Sequence, residues 1–391
     1  MATQAVLQFS KAIGGSGPLT ETNMFNNCVV VVDEAHLLAL PHTDPGFNKA
    51  QRKNINRLAN RLKSSQTNSR VVLATATPIV DNPSDKDKVL SIVKGNDSLS
   101  NEGYISYFMN RPESVFAKAS PQGNQLPRVI EVPIQGENLK KYLKEYKSKT
   151  TKESLQRYEY STLYHMTKAS IDKVRDQLSN NAANIATKLN AIVQDVKRTG
   201  LKTAILMDKS NGLNLLHEIF KANGVKSRVM LGPPQANGPK RNEIINNNEQ
   251  NKSIFNDNSN LRGERVQVLL LDSSEFSEGI SLMNVRHLIL GDMSQGLIEG
   301  KGKPSWGVMK QRIGRALRLC SHKNLPEEER KLNVTLYVAT AQDLKSGQAI
   351  ETQDMKKLNE VRAQQLEVET AMCAMENDSI DSTLYGKSDC N

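Results

Sequence analysis

Cysteine, aromatic side chains and long apolar runs are all scarce in this 391-residue chain. The four cysteines, Cys28, Cys320, Cys373 and Cys390, are too few and too scattered for a disulfide framework, and no pair has metal-ligand spacing. A reducing, intracellular setting is therefore expected. A single tryptophan, Trp306, and 5% aromatic residues argue against a partner held by stacking its bases on many rings. No apolar run approaches membrane-spanning length, and Met1 to Ser10 lacks the apolar core of a signal peptide. A soluble chain without membrane contact is expected. Acids are the deficient charge: 42 Asp and Glu stand against 52 Lys and Arg, a net charge of +10. That surplus suits a polyanion, DNA or RNA, tracked through its phosphates, although charge alone leaves the partner open.

Among the features present, Val29-Val30-Val31-Val32-Asp33-Glu34-Ala35-His36 is the most informative. Four β-branched residues ending in paired carboxylates describe a buried parallel strand that delivers acids to its carboxyl edge. Nucleotide-binding folds hold Mg2+ and activate water at that edge. Asp33 can hold the metal there, and Glu34 can orient or deprotonate the attacking water. A core strand entering a helix N-terminus, where the dipole favours acids, reads the same way. Three later strings bear on the choice. Val71 to Leu73 is an apolar strand that breaks into Ala74-Thr75-Ala76-Thr77-Pro78. Val266 to Leu271 is another, followed by Ser273, Ser274, Glu278 and Gly279. Gln311-Arg312-Ile313-Gly314-Arg315-Ala316-Leu317-Arg318 then places Arg315 and Arg318 about one turn apart on one helix face.

In this order the four strings resemble the C-terminal two thirds of a superfamily 2 helicase or translocase of the D-E-A-H kind. A narrower resemblance is to the helicase-related NTPases of large nucleocytoplasmic DNA viruses, the group that contains poxvirus nucleoside triphosphatase I and the early-transcription-factor helicase subunit. It rests on Gly314 to His322, Leu325-Pro326 and Val334 to Val338, with Phe255-Asn256, Asn260, Gly263 and Asp378 to Asp381 in agreement. The resemblance implies ATP and Mg2+ as cofactors, with Asp33 and Glu34 at the metal and Arg315 and Arg318 as arginine fingers. It places His36, Gln311, Gly279 and Gly314 at the nucleotide, and it assigns Thr75, Thr77, Ser273 and Glu278 to coupling with the nucleic-acid track. Implied partners are DNA or RNA and an RNA polymerase or transcription complex. The implied location is a virion, a cytoplasmic viral factory or the nucleus.

No G-x-x-x-x-G-K-[ST] phosphate loop occurs, and its lysine and backbone amides are what cradle a nucleotide's phosphates. Gly14-Gly15-Ser16-Gly17-Pro18-Leu19-Thr20 comes nearest, but Pro18 stands where the lysine belongs and the string lies too close to Asp33. It reads as a surface loop. The resemblance therefore implies a chain truncated at its N-terminus and inactive by itself.

The expected fold is α/β, with two RecA-like parallel-sheet lobes, the first incomplete, a helical insertion and a C-terminal helix. The expected divisions are a partial first lobe (1–135), a basic helical insertion or linker (136–199), a second lobe (200–345) and a helical tail (346–391). Ile55, Leu58 and Leu62 recur at helical spacing within Asn48 to Lys63, with Arg52, Lys53, Arg57, Arg61 and Lys63 as a solvated face. Leu139, Tyr142, Leu143 and Tyr146 form one helical stripe, and Ile185, Leu189, Ile192, Val193 and Val196 form another. Lys140, Lys141 and Lys144 beside the first stripe fit a nucleic-acid clamp or a charged linker equally. Residues 235–263, rich in Asn, Gly and Pro, read as an exposed loop. In the tail, Met355, Leu358, Leu366, Met372 and Met375 are expected to pack back on the protein. The function expected is an ATP-dependent helicase or translocase serving viral-type transcription. The alternatives are a catalytically inactive binding module and a translocase that displaces transcripts or proteins without separating strands.

Overall fold

The computed structural model describes residues 25, 27–39, 49–64, 69–75, 78–79, 82–95, 101, 103–106, 117–120, 126–148, 151–163, 175–234, 238–276, 280–293 and 305–386. The chain divides into two units, Met1–Arg111 with Gln295–Gln311 and Val361–Asn391, and Pro112–Ser294 with Arg312–Glu360.

In the first unit the valine run forms β1 (Val29–Val32), followed by α1 (Lys49–Ser64), β2 (Arg70–Leu73) and α2 (Asp85–Lys94). The strands β1 and β2 pair in parallel, Val29 opposite Arg70 and Val32 opposite Leu73. Ile55, Leu58 and Leu62 of α1 and Ile92 of α2 bury against Val71, with Val30 and Val32 packed on the same cluster. The opposite face is bare: Val29 is 68% and Val31 66% exposed. The expectation of a strand buried on both faces is corrected here. Among the described residues this sheet has two strands with helices on one side, so alternate valines point to solvent.

The second unit holds a larger sheet. Its elements are β3 (Lys118–Ser120), β4 (Arg128–Pro133), α3 (Gly136–Lys147), α4 (Lys152–Tyr160), α5 (Arg175–Ile185) and α6 (Thr187–Thr199). Then come β5 (Thr203–Met207), α7 (Leu213–Ala222), β6 (Ser227–Met230), α8 (Pro239–Asn256), β7 (Val268–Asp272) and β8 (His287–Leu290). The strands β9 (Lys331–Gln342) and β10 (Ala349–Ile350) follow, and α9 (Trp306–Gly314) and α10 (Gln353–Asn377) each have residues in both units. The sheet runs β10-β9-β8-β5-β7-β6, with β3 and β4 also on β9. Every pairing is parallel except β10 on β9. Every residue of β5, β7 and β8 is buried, which a parallel strand covered by helices on both faces requires. Strands β3 and β4 thus lie before residue 135 yet belong to this larger sheet.

The stretch expected as an insertion helps to build that core. Leu189, Ile192, Val193 and Val196 of α6 are fully buried with Ile205, Val268 and Leu270 of the sheet. Tyr142 and Leu143 of α3 are buried, while Tyr146 is 45% exposed and Lys140, Lys141 and Lys144 face solvent. In α10, Leu358, Val361, Val368, Met372 and Met375 are buried, but Leu366 is 73% exposed and does not pack back. Cys28 and Cys320 carry free thiols, whereas Cys373 is disulfide-bonded, a cross-link the sparse cysteines did not suggest.

Most of the stretch expected as an exposed loop at 235–263 is the helix α8, which begins with proline at its first turn. Its asparagines close the sheet edge at β6. Asn248 accepts from Leu231 N at 3.2 Å and donates to Leu231 O at 2.8 Å, and Asn251 donates to Val229 O at 2.9 Å. Side-chain amides thereby replace the neighbouring strand that an edge lacks. Asn248→Leu is expected to cost about 1–3 kcal/mol, because the Leu231 backbone groups lose their partners. The midpoint of urea unfolding measures it, with exposed Asn246→Leu as the comparison.

A polar network fixes the start of α10 within the second unit. Glu159 accepts from Gln353 N at 2.6 Å and Asp354 N at 3.0 Å, capping the helix from a distance. Asp354 in turn accepts from Ala339 N at 2.9 Å and Tyr160 Oη at 3.2 Å, and pairs with Lys188 Nζ at 2.5 Å. Burial, and then the Asp354 carboxylate, push the Glu159 carboxyl up to about 8 from its ordinary 4.5. A raised carboxyl binds its proton more tightly in the folded state. This contribution to stability is therefore complete below about pH 4.5 and is lost as pH rises to about 8. Stability measured across that window should fall, and Glu159→Gln, which keeps one acceptor, should flatten the profile.

Candidate functional site

In the first unit the strand-to-turn junction at the carboxyl end of β1 assembles three of the sequence strings. Asp33 closes the strand and its Oδ1 accepts from Glu34 N at 2.9 Å. Glu34 takes a left-handed backbone, φ 53°, which a residue with a Cβ rarely adopts. The turn this makes lets Ala35 N donate to Ala74 O at 3.0 Å, while Ala74 N donates to Val32 O at 2.8 Å. His36 is thereby carried under the end of β2 and is 1% exposed. Its Nδ1 lies 2.9 Å from Thr75 Oγ1 and 3.4 Å from Glu34 Oε2. On the other side of the ring, Gln311 Nε2 lies 3.4 Å from His36 Nε2. Asp33, Glu34, His36, Thr75 and Gln311 are thus brought together, although His36 and Gln311 are 275 residues apart.

Asp33 is exposed at the strand end, a hard oxygen donor open to a cation. Among the described residues no group of three or more acids, histidines or cysteines stands ready to cage a metal. The residues present therefore fit Mg2+, which binds through one or two carboxylates with waters and phosphate oxygens, rather than an all-protein site.

Arg315 and Arg318 do not share a helix face, which corrects the sequence expectation. The helix α9 ends at Gly314 and the chain passes into tight turns. Leu282 N takes the Arg315 carbonyl at 3.0 Å, Asn284 N takes the Ser321 carbonyl at 2.8 Å, and Cys320 turns at φ 58°. Those cross-chain bonds claim backbone groups that a longer helix would need for itself. Arg315 is buried, whereas Arg318 is exposed and donates to Ser281 Oγ at 2.8 Å. A Cβ on Gly314 would meet nothing within 4 Å, so no packing contact demands glycine there.

The second unit also gathers residues that the sequence reading passed over. Asp208, Asp272 and Asp292 each lie at the carboxyl end of a strand, after β5, at the end of β7 and after β8. Asp272 accepts from Ser274 Oγ at 2.8 Å, and from the backbone N–H of Lys209 and Gly232, both at 3.4 Å. Asp292 accepts from Asp208 N at 2.6 Å and Asn211 Nδ2 at 2.9 Å, and its other oxygen faces Arg312 Nη1 at 3.8 Å. Burial raises the Asp208 carboxyl, with Asp292 adding to it. Burial likewise draws the Arg312 guanidinium down, against the pull of Asp292 and Asp208. An aspartate after each apolar run, in Met207-Asp208, Leu271-Asp272 and Leu290-Gly291-Asp292, was the available signal. Ser273 N donates to Met207 O at 3.1 Å and ties β7 to β5. Thr77, Glu278, Gly279 and the Gly14 to Thr20 string lie outside the described residues.

The string Phe255-Asn256 with Asn260 is a structural clasp. Lys202 Nζ and Asn260 Nδ2 both donate to Phe255 O, at 2.6 and 3.0 Å, and Asn256 Nδ2 donates to Ser281 O at 2.9 Å. Burial in that clasp draws the Lys202 ammonium down to about 8.

No protein-family model matches the chain. It is homologous to proteins named as helicases and as a nucleoside triphosphatase. An uncharacterized killer-plasmid helicase of Kluyveromyces lactis is 24% identical over 327 residues, 80% of this chain and 46% of that protein. A protein of Acanthamoeba polyphaga mimivirus, provisionally named an ATP-dependent RNA helicase, is 24% identical over 84% of this chain and 63% of its own length. Nucleoside triphosphatase I of Melanoplus sanguinipes entomopoxvirus is 36% identical over 100 residues, 25% of this chain and 14% of that protein. The chain thus spans about half to two thirds of the first two relatives. Among solved structures, the C-terminal part of one ATPase domain covers 61% of this chain at 11% identity with a TM-score of 0.38, a loose likeness.

Proposed function

We propose that the chain is part of an ATP-dependent nucleic-acid helicase or translocase. The observation that carries this reading is the His36 constellation, in which residues of three separate strings meet at the carboxyl end of β1 beside Asp33 and Glu34. In this reading Mg2+, when bound, would supply Lewis acidity at the phosphates of ATP. Asp33 holds it, and Glu34 orients the attacking water, kept in place by His36. Thr75 and Gln311, which grip opposite nitrogens of His36, report the state of the nucleotide to the nucleic-acid track. Arg315 and Arg318 place guanidinium charge on the transferring phosphoryl group. The track is DNA or RNA, and the family resemblance carried by the sequence strings implies a partner in a transcription complex.

A second reading keeps binding without turnover. It is favoured by the absence of any G-x-x-x-x-G-K-[ST] string, which leaves phosphates without their usual cradle. Steady-state ATP hydrolysis with and without single-stranded DNA or RNA separates the two. Background turnover is expected of this chain; sustained nucleic-acid-stimulated turnover lost in Glu34→Gln would show that another element replaces the loop. A chain that binds neither nucleotide nor nucleic acid would sink both readings. Binding to nucleic acid should be salt-sensitive, each lost phosphate contact lowering the log–log slope by about 0.7 to 0.9. If neutralising Lys140, Lys141 and Lys144 together leaves affinity and slope unchanged, α3 is not a contact surface.

A further inference from the structure

A groove of about 810 Å³ opens in the second unit at the carboxyl ends of β4 and β9, between the first turns of α3 and α10. Its walls are apolar, from Ile134, Leu139, Ile350 and Met355. Leu344, at the tip of the hairpin joining β9 to β10, lies on its rim and is 66% exposed. An isobutyl group left that bare beside an apolar cleft is an anchor without a cover.

The charge on the rim has one sign. Glu131, Asp343 and Glu351 line the groove, and among the described residues no lysine or arginine does, in a chain of net charge +10. Asp343 is engaged: it accepts from Lys345 N at 2.8 Å and Ser346 N at 3.1 Å, and Lys147 reaches it at 3.5 Å. Those bonds, with Gly347 N on Asp343 O at 2.9 Å, hold the hairpin in shape, so the groove is formed in advance. Glu131 and Glu351 make no ion pair among the described residues and remain open to an incoming cation.

We propose that this groove docks a basic amphipathic peptide segment of a partner protein. The apolar walls and Leu344 take its aliphatic anchors, while Glu131 and Glu351 pair with flanking arginines or lysines. Phosphates are repelled by the same rim, so the groove selects a protein over the nucleic acid that suits the rest of the basic surface. The groove shares no residue with those assigned to nucleotide chemistry, and its test does not depend on turnover.

Fluorescence anisotropy on the full chain tests it with three labelled peptides of about 14 residues, a length that forms about four helical turns. One is an arginine–leucine amphipath, the second its glutamate–leucine twin, and the third an arginine–serine peptide. Only the first should bind. The double variant Glu131→Lys with Glu351→Lys, and separately Leu344→Asp, should each weaken it at least about tenfold, as loss of an anchor does. All three positions are on the rim, and an unchanged circular-dichroism melt checks that the variants fold. The proposal is overturned if either variant binds as the parent does, if the glutamate twin binds equally, or if oligothymidylate displaces the peptide.

Discussion

Arg315→Ala and Arg318→Ala are each expected to lower ATP turnover by at least about 10³, the range for losing an arginine finger, in a chimera in which a relative's phosphate-loop segment precedes the chain. The loss should fall on kcat rather than KM, because the guanidinium meets charge that grows only in the transition state. Lysine should rescue poorly at either position, since a point charge cannot reproduce the planar fork. The two arginines will differ in a second measurement. The Arg315 side chain is buried, so its truncation leaves a void and should also lower the melting temperature, whereas exposed Arg318 should lose turnover with little loss of fold. Arg330 is a poor control despite its position outside the motif, because it donates to Leu325 O at 2.9 Å and Lys323 O at 3.1 Å. Exposed Lys323 is the better one. If both alanine variants turn over normally while folded, the arginines have no part in phosphoryl transfer.

Lys188→Met is expected to destabilise the second unit by about 3–5 kcal/mol, the cost of stranding one member of a buried ion pair. Lys188 and Asp354 both have no exposed side-chain surface, and the ammonium also lies 3.9 Å over the Tyr160 ring. Asp354 would keep its bonds from Ala339 N and Tyr160 Oη but lose its counter-charge. The double variant Lys188→Met with Asp354→Leu should recover part of the loss, since no isolated charge remains buried. Guanidinium unfolding of the four corners of that cycle reads the coupling directly. A single variant within about 1 kcal/mol of the parent would mean that solvent reaches the pair.

Much of the architecture is written locally. The apolar runs at Val29, Val71, Thr203, Val266 and Val334 all yield strands, because they are short enough to end in turns and are bounded by polar residues. Apolar spacing of three and four places α1 within a residue of its observed ends and puts Ile55, Leu58, Leu189 and Val193 on the buried side, but Ile185, expected on the same stripe as Leu189, ends α5 and is separated from α6 by a break at Ala186. The order of the four strings, and hence the family they resemble, is likewise a property of the chain alone. The asparagine-rich α8 defeated the same reading, since its helix is held by amide bonds to β6 that composition does not reveal.

What only the tertiary structure decided is where distant groups meet. Periodicity says that Val29 and Val31 share a face, but not that among the described residues this face has no helix over it. It places Arg315 and Arg318 on one helix, but Leu282 and Asn284, more than thirty residues earlier, claim the carbonyls of Arg315 and Ser321 and end that helix at Gly314. His36 finds Gln311, and Arg312 finds Asp292, by the same route. Local spacing is set by bond geometry within one element, whereas these partners are chosen by which surfaces pack once the elements exist, and no short window of sequence contains both halves of that choice.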